Sequence, residues 1–291
     1  MSTLETSRGC PYRCGFCSVW VFYDKKVRMR SPARVLEELE SVPNEQLLIV
    51  DDNFFAGPKR AETIGKLIKE RGIMIKYMIQ ARTDSIVNHR ELLELWSEIG
   101  LRSVFLGFEK VDQASLDAAA KQNNVETNEK SLELLREYGI EPVVAFIVDP
   151  QWTRDDMNAL KNYVRKLRLG LPFFTVLTPL PGTEAFEESG GAVLDANRDL
   201  FDLLHPLVPT KLPLGEFAEE MANLYTTGYP FRVAVLGGLF LLTEVARGHL
   251  SFGDWREMVR DRSMLTIKMH YLCGAEAGTH RVDLPQSPYT V

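Results

Sequence analysis

For its first 190 residues the chain alternates short apolar runs with amphipathic stretches of helical period. The first strand is expected to be short, over residues 3–8, because the cysteine loop follows so soon. Ser31 then opens a helix with Pro32 at its first position, and Val35, Leu36 and Leu39 fall on one face. Leu47, Leu48, Ile49 and Val50 read as a fully buried strand running into Asp51, Asp52 and Asn53. The same unit recurs. A helix over 58–71 stops at Gly72, a strand over 73–80 leads into Arg82, and a helix over 88–99 stops at Gly100. The fourth strand, 102–108, ends on Glu109, and helices over 111–121 and 128–138 precede a fifth strand, 142–148. Thr153 and Asp156 mark the start of a helix over 154–169, and a sixth strand, 173–177, closes on Pro179-Leu180-Pro181-Gly182. Six strand-then-helix units predict an α/β fold: a parallel sheet with helices outside and candidate site residues at the strand ends.

Beyond about residue 191 the alternation stops and the pattern becomes helices with loops. Two regions are therefore expected, 1–190 and a helical 191–291 that covers the sheet region or contacts substrate. The most apolar stretch, 231–245, carries Glu244 and is flanked by Arg232 and Arg247. It falls short of the ~20 apolar residues that cross a bilayer. A core helix is the plain expectation for it, and a substrate wall or membrane-surface contact the sharper one.

Composition removes some partners. The 34 basic and 40 acidic residues give a net charge of −6 with no run of like charge, so no nucleic-acid footprint is expected. The start, Met1-Ser2-Thr3-Leu4-Glu5, lacks the basic and apolar segments of a signal peptide, and a reducing cytoplasmic location is expected.

Three of the four cysteines, Cys10, Cys14 and Cys17, share one loop with the spacing C-x3-C-x2-C. Clustered thiolates bind metal. A structural zinc wants four protein ligands, and no histidine occurs before His89. A [4Fe-4S] cube held by three cysteines fits the count better and leaves one iron open to a small molecule. Three plain thiols, or a non-catalytic iron-sulfur or zinc module, are the alternatives. With Phe16 just before Cys17, the loop resembles the cluster signature of the radical S-adenosylmethionine (radical SAM) enzymes. That resemblance implies a partial (β/α)6 barrel, a [4Fe-4S] cluster, and SAM chelated at the open iron and cleaved to a 5′-deoxyadenosyl radical. It also implies Asp51, Asp52 and Asn53 at the amino end of SAM, Arg82 at its carboxylate, Glu109 at its ribose hydroxyls or amino group, and Phe16 against adenine. No catalytic residue is assigned beyond the cluster. Only Cys273 remains outside the loop, too few for a second cluster; it reads as a buried thiol or a fourth cluster ligand.

Further motifs narrow the resemblance. Asp51-Asp52-Asn53-Phe54, Gly107-Phe108-Glu109, Pro179-Leu180-Pro181-Gly182-Thr183, and residues 200–206 leading to 209–214 are similar to the B12-dependent radical SAM methylases, nearest the hopanoid C-3 methylase type. The likeness spans most of 3–225. It implies methyl transfer from methylcobalamin to an apolar small molecule and an electron donor such as flavodoxin or ferredoxin. Those methylases carry a cobalamin-binding domain ahead of the barrel, whereas this sequence starts at the barrel and lacks D-x-H-x-x-G. Asp202 to His205 is D-x-x-H, so His205 is expected to be a structural hydrogen-bonder. A separate B12 protein, a longer parent chain, or a B12-independent rearrangement, cyclisation or oxidation each accommodate this.

Overall fold

The computed structural model describes residues 1–43, 45–190 and 197–228, with Thr243 and Ser251 singly beyond them. In chain order the elements begin with β1 (Ser2–Leu4), β2 (Ser7–Arg8), α1 (Val19–Phe22), β3 (Arg28–Met29), α2 (Pro32–Leu39) and β4 (Gln46–Ile49). After a 3-10 turn, Phe54–Ala56, come α3 (Pro58–Arg71), β5 (Lys76–Ala81), α4 (Thr83–Asn88), α5 (Arg90–Glu98) and β6 (Leu101–Glu109). The series continues with α6 (Gln113–Ala118), α7 (Val125–Glu137), β7 (Glu141–Val148), α8 (Arg154–Leu167), β8 (Leu171–Val176), α9 (Glu184–Glu188) and α10 (Leu214–Gly228). The main sheet has the order β1-β4-β5-β6-β7-β8, and every pair from β1 to β7 is parallel. The α/β architecture expected from the alternation is therefore present.

Compactness divides the chain into two units, Met1–Phe146 with Leu180–Glu188, and Ile147–Pro179 with the chain from Ser189 onward. In the first, Trp96, Tyr77, Phe54 and Phe55 are fully buried together, with Trp96 edge-on to both Phe54 and Tyr77. The Trp96 indole donates to the Ala61 carbonyl, so the one polar atom of this large side chain is satisfied. α2 packs on α3 through Val35, Leu36 and Leu39, capped by Ser31 as the sequence predicts.

Local chemistry explains where elements depart from expectation. The run 3–8 is not one strand: β1 stops at Leu4, and Ser7 and Arg8 pair antiparallel with Met29 and Arg28. The break falls where Thr6 turns its N–H and hydroxyl onto Asp51. The run 47–50 is not buried throughout: Leu47 and Ile49 are buried, Leu48 is half-buried, and Val50, just past β4, is 39% exposed. β5 begins three residues late because Gly72 and Ile73 close α3, donating to the carbonyls of Lys69 and Ile68. The helix expected over 88–99 is α5, and an unexpected α4 precedes it, the two parted at His89, whose carbonyl takes the N–H groups of both Leu92 and Leu93.

In the second unit, α10 packs on α8 and β8. Arg154 pairs with Glu216 at 2.7 Å, Lys161 with Glu220, and the Tyr225 hydroxyl donates to the Phe174 carbonyl. α8 starts in a full capping box: Thr153 and Asp156 exchange side-chain and backbone hydrogen bonds. Thr153→Ala is expected to lower stability by about 1 kcal/mol, read as a drop in the urea midpoint; an unmoved midpoint would show that the box contributes nothing.

Among the described residues no helix is long and apolar enough to cross a membrane. The apolar stretch 231–245, Cys273, and most of the helical region expected over 191–291 lie outside the described residues.

Candidate functional site

The cysteine loop runs from β2 to α1, and its backbone is tied down at each end. Gly9 opens it at φ +90, and a Cβ there would lie 2.3 Å from the Lys26 carbonyl oxygen, so only glycine fits. The Gly9 N–H donates to the Asp52 carboxylate at 2.8 Å. In the middle, the Cys14 carbonyl accepts from the Cys17 N–H and from the Trp20 indole, both at 3.0 Å. Gly15 donates to the Ala119 carbonyl at 3.2 Å and accepts from the Ala185 N–H, in α9, at 3.1 Å.

Three strand ends of the sheet converge on this loop. After β4, Asp51 is fully buried, and its carboxylate accepts from the Thr6 N–H at 2.6 Å and from the Thr6 and Ser7 hydroxyls at 2.5 Å each. Asn53 is 2% exposed, and its amide faces the Cys10 thiol, which burial pushes up and the amide brings only partly back. After β5, Arg82 stacks on the Tyr12 ring at 3.6 Å and pairs with Asp84 at 3.0 Å. It also donates to the Lys121 and Gln122 carbonyls at 2.8 and 3.1 Å, and reaches the Cys14 sulfur at 3.9 Å. Burial opposes its charge, but Asp84 and Cys14 hold its pKa above the ordinary arginine value. At the end of β6, Glu109 adopts φ +66 and forms a buried 2.6 Å ion pair with Lys121, whose ammonium lies 5.9 Å from the centre of the Phe16 ring.

The structure thus brings Cys10, Cys14, Cys17, Phe16, Asp52, Asn53, Arg82 and Glu109 to one edge, with Asp51 beneath. Sequence reasoning missed Tyr12, Asp84, Lys121 and the carbonyls of Ala119 to Gln122. The only signal for that segment is a polar run after an amphipathic helix, which reads as an ordinary loop. His205 is hydrogen-bonded to Asp202 at 2.8 Å, the structural partnership expected of it.

Do these residues fit an iron-sulfur cube? All three cysteines are free thiols. Burial first, and then the neighbouring Cys14 and Cys10 sulfurs, push the Cys17 thiol up to about 11, so the three sulfurs feel one another. Among the described residues, however, no three cysteine, histidine or acidic side chains are close enough to hold a single metal ion. A cube takes one cysteine per iron, and three thiols on one loop are the all-sulfur set that would fill three of its corners.

The Radical SAM superfamily model matches residues 4–164, a span holding all three cysteines and every strand end named above. The chain belongs to the radical SAM superfamily. Membership implies a [4Fe-4S] cluster and SAM as cofactors, and the Cys10, Cys14 and Cys17 loop is where this radical SAM chain presents three thiols. It is 33% identical over 290 residues to the hopanoid C-3 methylase of Methylococcus capsulatus, covering 99% of this chain and 56% of that protein. It is 27% identical over 226 residues to the anaerobic magnesium-protoporphyrin IX monomethyl ester cyclase of Rubrivivax gelatinosus, covering 75% of this chain and 40% of that one. The chain spans about half the length of the curated relatives it matches. Among solved structures, the radical SAM methyltransferase TsrM from Kitasatospora setae, with cobalamin and a [4Fe-4S] cluster bound, shares the fold at a TM-score of 0.57 and 18% identity. That likeness covers 66% of this chain and 37% of TsrM.

Proposed function

We propose that this chain is the catalytic barrel of a radical SAM enzyme that methylates an unactivated carbon of an apolar small molecule. Cobalamin would come from a separate protein or from another part of a longer chain, and electrons from a donor such as flavodoxin or ferredoxin. The observation that carries the reading is the three-cysteine loop, braced from three strand ends, with the buried Asn53 amide facing Cys10. Methylation is favoured by the similarity to the hopanoid C-3 methylase along nearly the whole chain.

The chemistry supplied by a bound cluster and SAM is one-electron cleavage of a sulfonium carbon–sulfur bond, giving a carbon radical able to take hydrogen from an inert C–H. This chain's residues prepare for it. Cys10, Cys14 and Cys17 would each hold one iron of the cluster. The Asn53 amide and the Asp52 carboxylate would bind the ammonium and carboxylate end of SAM, while Asp51 acts through the strand end it holds. Arg82 braces Cys14 and adds positive charge on the side that takes the SAM carboxylate. Glu109, fixed by Lys121, accepts from ribose hydroxyls, and Phe16 offers its ring to adenine. A reducing cytoplasm suits such thiols.

A second reading, ring closure or another rearrangement without B12, is favoured by the similarity to the Rubrivivax gelatinosus cyclase. Anaerobic iron-sulfur reconstitution followed by SAM, dithionite and methylcobalamin decides between them. Formation of 5′-deoxyadenosine is expected, with a methylated product only when cobalamin is present. A loaded protein that never cleaves SAM overturns both readings.

Asp52→Ala is expected to weaken SAM binding by about tenfold or more, the loss of one charge-assisted hydrogen bond, with iron content unchanged. Equal SAM affinity in the variant would remove Asp52 from the site.

A further inference from the structure

Charge along this chain is unevenly spread. Between residues 8 and 30 lie Arg8, Arg13, Lys25, Lys26, Arg28 and Arg30 against the single acid Asp24, in a chain whose net charge is −6. The structure folds this segment around the outside of the cysteine loop. All six basic residues are exposed; Arg8, Lys26 and Arg30 pair with Glu5, Asp24 and Glu38, while Arg13 and Arg28 have no acidic partner among the described residues. The same segment contains α1, Val-Trp-Val-Phe, none of whose residues is buried; Phe22 is 80% exposed and stands edge-on to Tyr23, and nearby Met29 is 43% exposed. Val19, Trp20 and Val21 are half-buried, and Phe22 is the large apolar group this helix turns outward. Asp24 and Lys25 both adopt positive φ, in a turn closed by the Lys25 N–H on the Trp20 carbonyl at 2.7 Å, which carries the basic residues outward beside the aromatic helix.

This face is wired to the cysteine loop. α1 begins two residues after Cys17, the Trp20 indole is bonded to the Cys14 carbonyl, and the Lys26 carbonyl rests on Gly9, the residue before Cys10.

We infer that the face formed by α1, the 24–26 turn and β3 docks an acidic low-potential one-electron carrier protein. An apolar aromatic centre with a basic rim is the form of a transient protein interface, and its charge complements an acidic partner. Its place directly outside the cysteine loop favours a redox partner, because a carrier seated there brings its centre close to the cluster. One electron leaves the carrier, which is oxidised, and enters the cluster, which is reduced; no proton or other group moves. The inference rests on the radical SAM reading.

The test compares reconstituted wild-type protein with Phe22→Ser/Lys25→Glu/Arg28→Glu, and with Arg28→Glu alone in case the triple variant folds poorly. The probe is a purified acidic flavodoxin. Its Kd is expected to rise about tenfold or more in the triple variant and severalfold in R28E, and to weaken with salt for the wild type. Dithionite-driven 5′-deoxyadenosine formation stays unchanged, while flavodoxin-driven formation falls. Equal flavodoxin affinity in wild type and both variants overturns the inference. So does wild-type protein that ignores flavodoxin but sediments with phosphatidylglycerol vesicles, which would make the face a membrane contact. Absence of dithionite-driven cleavage in the loaded wild type is a separate result and overturns the radical SAM reading itself.

Discussion

Cys14→Ala is expected to leave a folded protein that holds no iron-sulfur cluster and forms no 5′-deoxyadenosine above background. Cys14 is the most buried of the three cysteines, its sulfur is the one Arg82 reaches, and its backbone is the loop's central acceptor. Alanine retains that backbone, so Cys17 and Trp20 keep their bonds and the loop keeps its course. Only the thiolate is lost, and two thiolates do not hold a four-iron cube. Iron and sulfide analysis after anaerobic reconstitution, beside a circular dichroism spectrum, separates loss of ligand from loss of fold. Wild-type iron content in this variant would end the cluster assignment.

Asp51→Ala is expected to be the most damaging single change to stability at the site, by about 3–5 kcal/mol. The carboxylate receives three hydrogen bonds from groups that are themselves buried, Thr6 being fully so. Alanine strands all three donors and opens a cavity. Asp51 also sustains the half-buried Arg60 guanidinium, whose pKa burial lowers and Asp51 raises, and which donates to the Thr6 carbonyl at 2.7 Å. Asp51→Asn keeps one acceptor oxygen and should recover part of the loss. Thermal or urea unfolding measures it. An alanine variant as stable as the wild type, with weakened SAM binding instead, would turn Asp51 from a support into a ligand-binding group.

The parts of the fold legible in the sequence are those where one periodic face meets a regular core. α2 and α3 were readable from Ser31, Pro32, Pro58 and Gly72, because caps and prolines act within a few residues. The illegible parts are those where a distant group outbids the local pattern. Thr6 sits in a run with strand character, but an aspartate 45 residues away takes its N–H. Val19 to Phe22, to which the sequence pattern assigns no element, form one turn of helix after the cysteine loop. At the site, spacing alone identified the cysteines, and strand ends flagged Arg82 and Glu109. Their partners could not be read, since Arg82 meets Cys14 across 68 residues and Lys121 lies beyond a helix from Glu109.

The Arg82 contacts carry a consequence for how damage would spread. One guanidinium joins the Tyr12 ring, the Cys14 sulfur, Asp84 and two carbonyls of the 119–122 segment. Replacing it releases separate stretches of chain together, because lysine cannot reproduce the planar fork that serves them all. Arg82→Lys should therefore show new protease cleavage in the cysteine loop and across 119–122 at once, never in one alone.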